Sequence, residues 1–179
     1  MQSTLKTTNM RKLHILKSVL DLFWFFSLIG AIGIIILLPF YLFSSDMDMA
    51  IKIKGQEILN QNAFTKGLVF INVISALIFL YSIFLLRKVV GLFQRREIFK
   101  TEVVRLFNLI GKLIVISTIM SNVSVFIYNM IERNHLGISI DFGSYDSFLV
   151  SVSIGLFFMV ISEIFKIAMN IKEESELII

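Results

Sequence analysis

The sequence predicts an all-α integral membrane protein, a bundle of four transmembrane helices with both termini on the cytoplasmic side. Three observations predict it. Four apolar stretches, at about 19–43, 68–86, 106–131 and 148–171, are each long enough to span a bilayer. The hydrocarbon core is about 30 Å thick, and a crossing helix needs about 20 mostly apolar residues. Hydrophobic residues make up 56% of the 179-residue chain and mean hydropathy is +0.84, which leaves no share for a separate soluble module. Finally, Lys and Arg concentrate in alternate connections, as they do when cytoplasmic loops retain positive charge. Residues 1–179 read as a single four-span membrane domain.

The elements follow in order. Residues 1–18 carry Lys6, Arg11, Lys12 and Lys17 ahead of the first apolar run. That run is about 25 residues long, against 7–15 for a signal-peptide core, and no small-x-small cleavage site follows it, so it reads as an uncleaved first span. Pro39 near its outer end is expected to kink the last turn. Trp24, Tyr41, Tyr128 and Tyr145 fit an interfacial belt, whereas Tyr81 is deeper and is expected to face a neighbouring helix. Between spans two and three, the helix is expected to continue through 87–93, with a turn at 94–100 and a new helix capped by Thr101, with Glu102 in its first turn. Phe99 would anchor that turn at the interface.

The two outer loops show a period of two: M-D-M-A-I-K-I at 47–53 and G-I-S-I-D-F at 137–142. Two short strands from different loops are one reading, giving a small two-stranded extracytoplasmic sheet; irregular loops are the other. A two-stranded unit is marginal in water unless it packs on the membrane domain. Residues 55–62 suit a short surface helix.

Charge sets the topology. With both termini inside, twelve Lys and Arg residues lie inside against four outside (Lys52, Lys54, Lys66 and Arg133). The inner connection alone holds Arg87, Lys88, Arg95, Arg96, Lys100 and Arg105. The net charge of +4 is thus a signature of topology and not of direct nucleic-acid binding. A chain without cysteine has no disulfide, thiol catalysis or thiolate-ligated metal. Its two histidines, His14 and His135, fall on opposite sides of the membrane and cannot share a metal. No acid–base pair, phosphate-binding glycine loop or nucleophile motif stands out, so neither a catalytic site nor a cofactor is expected.

Charged groups within spans are costly and are candidates for function. Asp21 in span one, Lys112 in span three and Glu163 in span four form a candidate intramembrane polar cluster. Lys112 and Glu163 each lie about seven residues from the cytoplasmic end of their spans, roughly 10 Å deep. An ion pair locking the bundle, snorkelling side chains, a proton or ion relay and a regulatory switch are the competing roles. Ser117 and Ser121 in span three, and Ser147, Ser151 and Gly155 in span four, place small residues four apart, a spacing that lets helices approach closely. These stripes are expected to pack within the bundle against one another.

The inner connection reads R-E-I-F-K-T-E-V-V-R-L-F-N-L-I-G-K at 96–112, and the chain ends E-I-F-K-I-A-M-N-I-K-E-E-S-E-L-I-I at 163–179. Together these resemble the bacterial family of small four-span membrane proteins catalogued as domain of unknown function 2975. Its inner-loop pattern, Gly-x-x-Phe-Thr/Ser leading into an Arg-containing helix and a Gly, is matched by Phe99, Thr101, Arg105 and Gly111. Its terminal pattern is matched by Glu163, Phe165, Glu173, Glu174, Glu176 and Leu177. The departures are Arg95 or Arg96 where Gly is usual, and Ile178 where Thr is usual. The resemblance implies a bacterial inner-membrane protein and supplies no reaction. Members are often accompanied by a small helix-turn-helix regulator, which implies such a cytosolic partner.

The leading functional expectation is a non-enzymatic regulatory or interaction protein acting through its cytoplasmic face, with the bilayer and a cytosolic regulator as partners and a homo-oligomer as a further option. Arg95, Arg96, Phe99, Glu173, Glu174 and Glu176 are the candidate partner-binding residues. The alternative is a small transporter or channel using a polar site between spans three and four.

Overall fold

The structure, a computed structural model, describes residues 2–43, 52–53, 56–57, 62–132 and 148–177. Four helices account for nearly all of them: α1 (Gln2–Phe43), α2 (Ala63–Gln94), α3 (Thr101–Glu132) and α4 (Phe148–Leu177). Each contains a segment long and apolar enough to cross a membrane: Leu13–Phe43, Ala63–Gln94, Thr101–Ile131 and Phe148–Ser175. Helices α2 and α3 each run for 32 residues. At 1.5 Å per residue that is roughly 48 Å, well beyond the hydrocarbon thickness. The excess carries the charged flanks into the interface without breaking the helical hydrogen bonds. Pro39 lies inside α1, which continues past it to Phe43.

Helices adjacent in sequence are adjacent in space. Helix α3 packs on both α2 and α4, and α1 packs mainly on α2. The principal core joins Leu85, Val89 and Leu92 of α2 to Val103, Leu106, Phe107, Ile110 and Ile114 of α3, covered by Phe158, Ile161 and Phe165 of α4. It sits toward the end of the bundle where α2 leads into α3. A smaller cluster at the opposite end holds Tyr41 and Val69 with Leu38, Leu42 and Val125.

Small residues set the helix approaches, in an arrangement that differs from the expected one. A Cβ added at Gly155 would come within 2.9 Å of the Gly111 carbonyl and 2.7 Å of Val115 Cγ2, so the α3–α4 contact is glycine against glycine. Ser117 and Ser121 do not face α4. The Ser117 carbonyl accepts a 2.7 Å hydrogen bond from Ser75 Oγ of α2, and Ser121 Oγ donates to Asn72 Oδ1 of α2 at 3.2 Å. The serine stripe of α3 therefore joins α2, and α3 meets α4 through Gly111. Ser162, fully buried, adds a 2.8 Å bond to the Val104 carbonyl.

The aromatic belt is also redistributed. Tyr41 and Tyr128 are each only 3% exposed and lie inside the bundle. Tyr81 points outward at 50% exposure and stacks on Phe84 of its own helix. Tyr145 lies outside the described residues. The described strand residues are Lys52–Ile53 and Gln56–Glu57, which pair antiparallel with each other. The expected pairing between loops involves 137–142, which lie outside the described residues. Gln56–Glu57 are extended where a short helix over 55–62 was expected.

Candidate functional site

The turn between α2 and α3 follows from how α2 ends. Its last carbonyls need partners. The Glu97 N–H donates to the Leu92 carbonyl at 3.0 Å and the Arg96 N–H donates to the Phe93 carbonyl at 3.1 Å. These paired bonds form a Schellman cap, which requires a left-handed residue just past the helix. That residue is Arg96, with φ 62°. Counting back from Phe99 in the Gly-x-x-Phe pattern leads to the same position, so the departure from the family pattern falls where the backbone itself favours glycine. Thr101 is the first residue of α3 and not its cap: its hydroxyl turns toward Met169 Sδ of α4, 3.9 Å away.

This turn and the end of α4 meet. Lys172 Nζ lies 5.6 Å from the centre of the exposed Phe99 ring, in cation–π range. Beneath them Phe93, Phe107, Phe158 and Phe165 interlock, with centroids 5.5–6.0 Å apart. The nest fixes the α2–α3 turn against α4. Arg95 and Arg96 are exposed, as are Glu173 and Glu174, and Glu176 lies in the last turn of α4. Among the described residues no ion pair joins Glu173 or Glu174 to Arg95 or Arg96; the basic turn is braced by Lys100–Glu97 at 3.1 Å and Lys88–Glu102 at 2.7 Å.

The described contacts do not join Asp21, Lys112 and Glu163. Asp21 pairs with Arg87 of α2. Glu163 is exposed and lies 3.9 Å from Lys166 on its own helix. Lys112 is exposed and has no ionic partner among the described residues. Depth along the spans was legible; the direction around each helix axis was not. The charges that the sequence reading overlooked are Arg87 and Lys88, which it counted only toward topology.

Arg87 and Lys88 open onto a cleft of about 400 Å³ between α1 and α2, whose lining includes Lys17, Phe84, Gly91 and Arg95. Gln94 closes its end by donating from Nε2 to the Leu13 carbonyl at 3.3 Å. At the other end of the bundle, Lys66 Nζ donates to the Leu42 carbonyl at 3.2 Å and lies 5.8 Å from the centre of the Tyr41 ring. Among the described residues there is no group of three or more His, Cys, Asp or Glu side chains placed to hold a metal ion.

No curated protein and no solved structure matches this chain. The family model described as "Protein of unknown function (DUF2975)" matches residues 21–179, a range that takes in the basic turn, the Gly111 contact and the α4 end. The chain therefore belongs to the DUF2975 family, with four helices long and apolar enough to span a membrane.

Proposed function

We propose that this is a non-enzymatic protein of the bacterial inner membrane, with both termini cytoplasmic, that works by binding a cytosolic protein at the end of the bundle bearing the α2–α3 turn. One observation carries the reading: Arg96 occupies a left-handed backbone position, exposed, beside the exposed Phe99 and the α4 end. A non-glycine residue there costs about 1 kcal/mol, and such strain persists where the side chain serves a role. A cation, an aromatic ring and the nearby Glu173 and Glu174 offer a mixed surface of the kind a protein partner reads. A cytosolic helix-turn-helix regulator fits that partner, with DNA contacted by the regulator and not by this chain.

The twelve-to-four bias of Lys and Arg supports the orientation. The chain has no cysteine, so single introduced cysteines would report it cleanly by their labelling from either side. The partner is tested by affinity capture from native membranes. Wild type is expected to retain one defined cytosolic protein, and Arg96→Gly and a chain truncated before Lys172 are expected to lose it. Equal capture by all three, or no partner for any of them, contradicts the reading.

A transporter or channel is the second reading. Asn72 Nδ2, Asn108 Oδ1 and Asn129 Oδ1 are buried without a hydrogen-bond partner among the described residues. Unpaired buried polar atoms cost about 1–3 kcal/mol each, and water or an ion in a polar path between the helices would satisfy them. A homo-oligomer would also cover the outward-facing Lys112. None of these residues lines the cleft between α1 and α2, which leaves this reading second. Ion flux in proteoliposomes that is abolished by Glu163→Gln would reverse the order.

A further inference from the structure

We propose that the cleft between the start of the α1 span and the last turns of α2 is a binding site for a phosphate oxyanion, carried by the headgroup of an anionic phospholipid or present as a free phosphate.

The cleft is built by helical spacing. Phe84, Arg87, Lys88 and Gly91 recur at intervals of three and four residues along α2, so they stand on one face, and Arg95 follows four residues on as the residue that caps the helix. Lys17 of α1 faces them across the cleft. Four cations from two helices converge, and no carboxylate is among the lining residues. The carboxylates nearby act on two of the four: Asp21 pairs with Arg87, and Glu102 pairs with Lys88. Lys17 and Arg95 have no ionic partner among the described residues. The cleft therefore keeps an excess of two positive charges, enough for one phosphate. The planar fork of N–H donors on the Arg95 guanidinium suits the acceptor oxygens of a phosphate.

Depth favours a lipid as the source. Arg87 directly follows the apolar stretch of α2 at 68–86, and Lys17 stands two residues ahead of that of α1 at 19–43. Both stand at the boundary where headgroup phosphates lie. Phe84 is one turn, roughly 5 Å, toward the hydrocarbon, where an acyl chain would continue from the headgroup. Basic clefts between transmembrane helices at such a boundary are a recurrent way to hold anionic headgroups. Gly91 keeps the floor open: a Cβ built there meets nothing within 4 Å. A larger side chain at this position would fill the cleft without colliding at its root.

The test uses the full chain purified in a neutral detergent, with bound lipid counted by native mass spectrometry and thermal unfolding followed in parallel. The probes are phosphatidylglycerol, phosphatidylcholine and inorganic phosphate. Lys17→Gln combined with Arg95→Gln leaves both ion pairs in place, and Gly91→Leu leaves every charge in place. Wild type is expected to hold phosphatidylglycerol in preference to phosphatidylcholine. The double variant is expected to bind it roughly 30-fold more weakly, at about one kcal/mol per surface cation, and Gly91→Leu to lose the preference while unfolding no earlier than wild type. Stabilisation by inorganic phosphate equal to that by phosphatidylglycerol assigns the same site to a free anion. Equal retention of the two lipids without any phosphate effect, or binding unchanged in both variants, overturns the proposal.

Discussion

Helices α1 and α3 differ in the opposite sense from the helices of a water-soluble protein. The most apolar 18-residue window of α1 has a mean hydropathy of 2.4 and none of it is buried, whereas that of α3 has a mean hydropathy of 1.8 and is 44% buried. The less apolar helix is the central one. Lipid is the reason: acyl chains solvate Phe26, Ile29 and Ile36 of α1 as well as a protein core would, so apolar character gives no drive toward burial. What draws a helix inward here is close packing and polar contact, and α3 has both in Gly111, Ser117 and Ser121. Helix α1 is held instead at two points, by Asp21–Arg87 near its middle and by the Leu42 carbonyl bond from Lys66 at its far end.

The sharpest way to break this comparison is Gly155→Leu. Its side chain must displace the Gly111 carbonyl or Val115, and overpacking of this kind costs about 3 kcal/mol. Thermal unfolding in detergent should fall by many degrees. An unchanged transition would mean that α3 and α4 are not held by that contact. Next in size and opposite in sign is Arg96→Gly. Relief of the left-handed backbone should stabilise the protein by about 1 kcal/mol, read as a higher unfolding temperature together with the loss of partner capture proposed above. On α1 the effects should be small. Asp21→Asn removes a partly exposed ion pair worth about 0.5 kcal/mol, and Ile36→Ala on the lipid face should lie within about 0.5 kcal/mol of wild type. A large loss from Ile36→Ala would place α1 in a packed interface that the monomer does not contain.

What was legible in the sequence divides along the same physical line. The four helices and the α2–α3 turn could be read because bilayer thickness and backbone hydrogen bonding dictate them, and helices beginning at Ala63, Thr101 and Phe148 lie close to the expected bounds. The azimuth of individual residues could not. When every face of a helix is apolar, no period marks the side that meets a neighbour. Lys112 and Glu163 were therefore placed at a matching depth although they do not pair, and Ser117 and Ser121 were assigned to α4 although they bond α2. Tyr41 and Tyr128 follow the same rule: their positions near span ends suggested a belt, and their burial comes from helix rotation. The partner of Asp21 was missed because Arg87 lies 66 residues away, on the next helix, among six basic residues that topology alone accounted for.

The central claim is that the end of the bundle formed by the α2–α3 turn and the α4 terminus is the working surface, and that α1 is a lipid-facing wall. Photo-crosslinking in living cells tests it most directly, with a benzophenone amino acid placed in turn at Phe99 and at Ile36. The account predicts one defined protein adduct from position 99 that disappears when Arg96→Gly is added, and no protein adduct from position 36. The same adduct from both positions, or none from position 99, would contradict it.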